Sequence, residues 1–345
     1  MLAPPPLPRN LEASFRDLGS EKADVRASAI EDVVRHARGD DAVRARALSA
    51  LKPKLEDASP RVRAAAAIAM GDLDATEHVA ALLLTVDDDD PHVRQMAMNA
   101  LGEIEDARAL PRLRRALSDS RPEMRYQAVI AFARVAGADP KAAEEVGQAL
   151  LDATNDDDDA VVHIALRVAE ERLDAGTAPE PRLVTRGRAL LDSASPHLAL
   201  VAAIFLAKAG DAAGHDLLLR VVRGEKVGGH APDKEDERAA VELVGELGLT
   251  AAKPHLEKRV WGVMRFVKDT CAFHARIALA RMGHPRAVAE ILAEIESPKT
   301  DERSAAVVAA GRARIAAARP LVERLTKASV DPELVREALE KLGAG

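Results

Sequence analysis

Apolar residues between positions 57 and 135 recur at helical spacing rather than alternating. From Val93 they fall at Val93, Ala97, Ala100, Leu101 and Ile104, the stripe of one amphipathic helix. The stripe reads Val62, Ala66, Ala69, Met70 and Leu73 one step earlier, and Met124, Ala128, Ala131, Phe132 and Val135 one step later. Each step is 31 residues, and Pro60, Pro91 and Pro122 mark the starts. Proline is placed in the first helical turn, where its missing N–H costs nothing, and the acidic turns at Asp57, Asp88 and Asp119 precede it. A second apolar stripe follows each first one, in Ala80–Leu84 and Ala109–Leu117. The unit is a helical hairpin, and a fixed period of this size predicts an all-α solenoid of stacked hairpins.

Beyond residue 135 the pattern drifts but helical stripes persist over Val161–Leu173, His197–Ala209, Glu237–Leu247, Cys271–Met282 and Asp301–Ile315. Two irregular connections interrupt them, Asp174–Pro181 and Arg223–Asp236, the second carrying Gly228, Gly229 and Pro232. The expected organisation is a Pro-rich tail over residues 1–10, then a single solenoid over 11–345 of about nine hairpins, capped by Pro332–Leu342.

Composition agrees with stacked small units. Hydrophobic residues make up 48% of the 345-residue chain, yet aromatic residues only 2%, too little bulk for one large core. Ala, Leu and Val suit helices that approach closely and pack only on their neighbours. Lys and Arg number 49 against 56 Asp and Glu, a net charge of −7, which argues against nucleic acid or an anionic membrane as the general partner. The lone Cys271 excludes an internal disulfide. With no secretory pattern at the start and no long apolar run, a cytoplasmic protein without membrane insertion is expected.

The run from Asp88 to Ile104, Asp-Asp-Asp-Pro-His-Val-Arg-Gln-Met-Ala-Met-Asn-Ala-Leu-Gly-Glu-Ile, resembles a HEAT repeat of the short type named after phycobilisome lyases. The match is strong over residues 57–135 and traceable to about residue 340. The resemblance implies that the Val-Arg helices line a concave surface, and that the Asp and Arg six residues apart bond between successive turns as a ladder.

Chemistry is harder to find. HEAT-like di-iron hydroxylases use His-Glu dipeptides, and none of the ten histidines here precedes Glu; His255-Leu256-Glu257 points its two candidates apart. The runs Asp87–Asp90 and Asp156–Asp159 lack the bend of a calcium loop and read as helix caps. No phosphate loop or nucleophile elbow occurs, and Cys271 sits on an apolar stripe with Ala275 and Ala278. No catalytic, metal or cofactor residue is assigned, and the chain is read as a non-enzyme. Three basic clusters are weighed for nucleic acid, as in HEAT-like alkylation-repair glycosylases: Arg108 with Arg112, Arg114 and Arg115; Arg182, Arg186 and Arg188; and Lys253, Lys258 and Arg259 with Trp261, Arg265, Phe266 and Lys268. Glu257 and Asp269 offset the third cluster.

The residues between the buried positions of the Val-Arg helices form the candidate site. They are Ile68, Met96, Asn99, Tyr126, Gln127 and Ile130, continued by Leu200, Ile204, Phe273 and Ile277. A contiguous apolar strip of this kind marks a partner surface. The expected function is a scaffold or adaptor holding a protein segment. A phycobilin-lyase-like accessory protein or enzyme and a nucleic-acid binder stand as alternatives.

Overall fold

The computed structural model describes residues 9–262, 270–325 and 330–343. Among them the chain is an all-α solenoid; the only β pairing is an isolated bridge between Val227 and His230. Residue contacts divide it into two compact units between Arg172 and Leu173. The first contains α1 (Leu11–Asp17), α2 (Ala23–Ala37), α3 (Asp41–Leu51), α4 (Pro60–Asp72), α5 (Val79–Thr85), α6 (Pro91–Ile104), α7 (Leu110–Ala116), α8 (Pro122–Gly137) and α9 (Ala143–Ala153). It closes with α10 (Asp159–Asp174), which ends at the division. The second contains α11 (Pro181–Leu190), α12 (Pro196–Lys208), α13 (His215–Val222), α14 (Lys234–Glu246), α15 (Lys253–Trp261) and α16 (Ala272–Arg281). It continues through α17 (Pro285–Ile295), α18 (Thr300–Ala313), α19 (Arg319–Glu323) and α20 (Pro332–Gly343). Residues 1–8 of the Pro-rich tail lie outside the described residues.

Within each unit the first helices of the hairpins stack directly on one another: α2, α4, α6 and α8 in the first, and α12, α14, α16, α18 and α20 in the second. The second helices lean on them. Every position of the three predicted stripes is buried. Close stacking is made possible by small residues. A Cβ added at Gly102 would lie 2.9 Å from the Cα of Ala131, and one at Gly245 would lie 2.5 Å from the Cα of Ala278. Any side chain there would push two first helices apart.

The acidic turns share one geometry. Asp57, Asp88, Asp119 and Asp156 each accept the amide two residues ahead, from Ser59, Asp90, Arg121 and Asp158, at 2.9–3.0 Å. Asp90 and Asp158 then cap their helices, accepting from Val93 N and Val161 N. The acidic runs are therefore used as turns and caps.

The repeat arginine ties one turn to the next. Arg63 donates to the carbonyl of Asp57 in its own turn and makes a bidentate pair with Asp88 of the next, both contacts at 2.7 Å. Arg125 repeats this with Asp119 O and Asp156. An earlier rung, Arg26 to Asp57, belongs to α2 and follows the same rule, one repeat before the sequence motif becomes regular. Arg94 breaks the series. It holds Asp88 O and Asp89 O, but its carboxylate partner Asp119 is taken by Arg121 from within its own turn. Among the described residues the buried Arg94 Nε has no hydrogen-bond partner, and Nη2 reaches only Glu123, at 3.8 Å. Arg121 stands where the other turns have Ser59 or Asp90.

In the second unit, Ser193 and Ser297 replace the turn aspartate. Their hydroxyls accept from Ser195 N and Lys299 N, so the turn survives. A hydroxyl has no charge to pair across repeats, and Arg303 donates to its own turn at Ser297 O and to Thr300 Oγ1 at 3.2 Å.

The 223–236 connection is shorter than the sequence pattern predicts, because α14 begins at Lys234 with Asp233 as its cap. It is also ordered. Val227 is buried, Gly228 and Gly229 turn with φ of 54° and 85°, and a Cβ at Gly228 would strike Pro196 at 2.3 Å.

Candidate protein-binding face

Stacking through α4, α6 and α8 fixes which side chains the first-helix row presents. Ile68 lies three residues before Gly71, and Asn99 and Ile130 occupy the same place one and two repeats on. Ile68 is 39% exposed, one of only two large hydrophobic residues exposed to that degree among the described residues. Met96, Asn99, Tyr126 and Ile130 are half-buried, each offering a partial face. Asn99 Nδ2 donates to Glu103 at 2.9 Å, setting a polar edge. Gln127 turns inward and is buried, three residues after buried Met124 and four before buried Ala131.

At the α2–α4 end the strip opens into a cleft of about 380 Å³, with Ile30, Ala65, Ile68 and Ala69 as floor and Arg35, Arg38 and Asp72 at the rim. Arg38 and Asp72 approach to 3.6 Å across it. Asp32 is held on the other side by Arg9 at 2.7 Å. An apolar floor with charges of both signs is suited to a peptide that buries hydrophobic side chains and pairs its own charges at the edge.

The strip does not continue into the second unit as the sequence pattern predicts. Leu200 and Ile204 are fully buried, because α12 is buried on every face from Leu198 to Ala207. That run contains no polar residue, the mark of a core helix rather than a surface one. Ile277 is buried as well, while Phe273 is half-buried with its ring edge-on to His274. Above Ile277 the first-helix row is closed by charge: Glu242 of α14 binds His274 of α16 and Arg312 of α18. Burial pushes the His274 imidazole below its usual range, against the pull of Glu242.

The basic clusters are largely neutralised. Arg112 pairs with Asp87 at 2.6 Å, Arg114 with Glu145, Arg188 with Asp211, and Arg259 with Glu237 at 2.6 Å. Trp261 donates its indole N–H to Glu290, and Arg286 stacks on its ring at 4.4 Å, so both its edge and one face are occupied. Arg265, Phe266, Lys268 and Asp269 lie outside the described residues. Glu257 pairs with His284 at 3.1 Å rather than with His255. Cys271 is buried as the residue capping α16.

A family profile described as HEAT repeats matches residues 48–133 and 79–171. Residues 48–171 of the chain carry HEAT repeats. Among solved structures it is similar to the Escherichia coli protein YibA, at 15% identity over 80% of this chain and 93% of that one, with a TM-score of 0.51. That likeness extends the shared fold well beyond the profile match. The CpcE–CpcF phycocyanin lyase of Nostoc matches at 17% identity over 82% of this chain and 98% of its own, with a TM-score of 0.46. A designed armadillo repeat protein in complex with a (KR)4 peptide matches at 19% identity over 58% of this chain and 100% of its own, with a TM-score of 0.42. No curated protein matches the chain. No helix among the described residues is long and apolar enough to cross a membrane.

Proposed function

We propose that this HEAT-repeat chain is a non-catalytic cytoplasmic scaffold that holds a segment of a partner protein along the first-helix row of its first unit. The observation that carries the reading is the run of partly exposed Ile68, Met96, Tyr126 and Ile130 on successive stacked helices, bordered by Arg38, Asp72 and Glu103. Partly exposed apolar side chains on three successive first helices offer a partner an apolar strip, and Tyr126 is the natural anchor, because aromatic residues contribute most per side chain at interfaces.

The test compares wild type with the Tyr126→Asp/Ile130→Asp variant in affinity capture from lysate of the source organism, with Leu84→Asp as control. Leu84, 79% exposed, lies on the second helix α5, away from the row. The expected result is a protein retained by wild type and Leu84→Asp but lost by a double variant whose circular dichroism and melting match wild type. Nuclease-sensitive material or a coloured ligand, held equally by all three, overturns it.

A further inference from the structure

The ordered 223–233 connection brings together residues that the scaffold reading does not use. His197 stands at the start of α12, just after Pro196, on which Gly228 packs. Asp233 caps α14 through one carboxylate oxygen, which accepts from Glu235 N at 2.9 Å and Asp236 N at 2.8 Å. Its other oxygen, Oδ2, lies 3.9 Å from His197 Nδ1. Asp236, one turn into α14 and only 1% exposed, places its Oδ2 3.2 Å from the same nitrogen. One atom from each of the three residues falls within 4.8 Å of the other two.

At 3.2 and 3.9 Å from the imidazole nitrogen, and within 4.8 Å of one another, the two carboxylate oxygens need only close up by side-chain rotation to complete a coordination shell. A tetrahedral zinc ion with bonds of about 2 Å holds its ligand atoms about 3.3 Å apart. An imidazole with two carboxylates is a nitrogen–oxygen donor set suited to zinc and its first-row neighbours, whereas magnesium and calcium favour oxygen alone. The supporting contacts are in place. The amides of Glu235 and Asp236 orient the Asp233 carboxylate, leaving Oδ2 directed at the cluster. The cluster lines a cleft of about 380 Å³ together with His230, whose Nδ1 is held 3.1 Å from Gly228 O. That contact steadies the ring at the cleft, which has room for a fourth ligand or a water.

We propose that His197, Asp233 and Asp236 bind one zinc-class divalent cation, which clasps the 223–233 connection to the starts of α12 and α14. The cation joins residues up to 39 positions apart, so its binding stabilises that part of the unit by mass action.

The test uses the full chain, stripped of metal with chelator and titrated with zinc chloride by calorimetry and thermal melting, beside His197→Ala and Asp233→Asn. Asn still caps a helix, and because His197→Ala removes a 3.2 Å contact of the buried Asp236, the metal-free fold of both variants is checked by circular dichroism and melting before zinc is added. The expected result is one zinc per chain, a raised melting temperature, protection of the connection from proteolysis, and binding weakened more than about tenfold in both variants. X-ray absorption should show nitrogen and oxygen neighbours and no sulfur. Zinc that leaves melting and proteolysis unchanged, or that binds both variants as tightly as wild type, overturns the proposal.

Discussion

The two units treat the same helix face in opposite ways. In the first, ion pairs sit in the turns, where Arg26, Arg63 and Arg125 reach the aspartates of the next repeat, and the first-helix row is left apolar and partly open. In the second, serine holds the turns at residues 193 and 297, and cross-repeat charge moves onto the row itself as Glu242, His274 and Arg312. One fold thus has two places to tie repeats together. Where the tie lies in the turns, the face stays open; where it lies on the face, the face is closed.

The largest expected effect breaks the stacking that the two units share. Ala97→Asp places an unpaired charge at a fully buried position and should cost at least about 4 kcal/mol, seen as loss of the cooperative melt of the first unit. Next comes the ladder. Asp88→Ala strands Arg63, whose side chain is 17% exposed, and should cost about 2 kcal/mol in denaturant unfolding. Asp119→Ala should cost about half as much, because it releases only the more exposed Arg121.

Acid should separate the units along the same line. Arg63 holds Asp88 below the usual carboxylate range, Arg125 does so for Asp156, and Arg121 lowers Asp119 to about 2. A depressed carboxylate contributes stability that is complete above its unfolded value near 4 and is lost as pH falls through the folded one. Hydrogen exchange between about pH 4 and pH 2 should therefore show the first unit opening before the second. The smallest effect repairs the broken rung. Arg121→Ser copies the turn of Ser59, frees Asp119 for Arg94, and should raise stability by about 1 kcal/mol. A loss instead would mean that the local Arg121–Asp119 pair is worth more than the rung it prevents.

The sequence alone determined the hairpin, its period and the buried stripe between residues 57 and 135, because apolar residues at a 3.6-residue spacing fall on one face of each first helix. The apolar run of α12 also carried the sign that Leu200 and Ile204 belong to the core, since a helix without polar positions has no face for solvent. Ile277 carried no such sign. Its burial follows from packing among stacked first helices in the apolar core of the second unit. The substitution of Arg121 in a turn is visible in the chain, but its capture of Asp119 is not. Likewise, His197 stands apart from Asp233 and Asp236 in the chain, and only the fold of the intervening connection makes them neighbours. Periodicity is a local property that one chain displays openly, whereas the pairing of charges and the convergence of ligands depend on which turns the stack brings face to face.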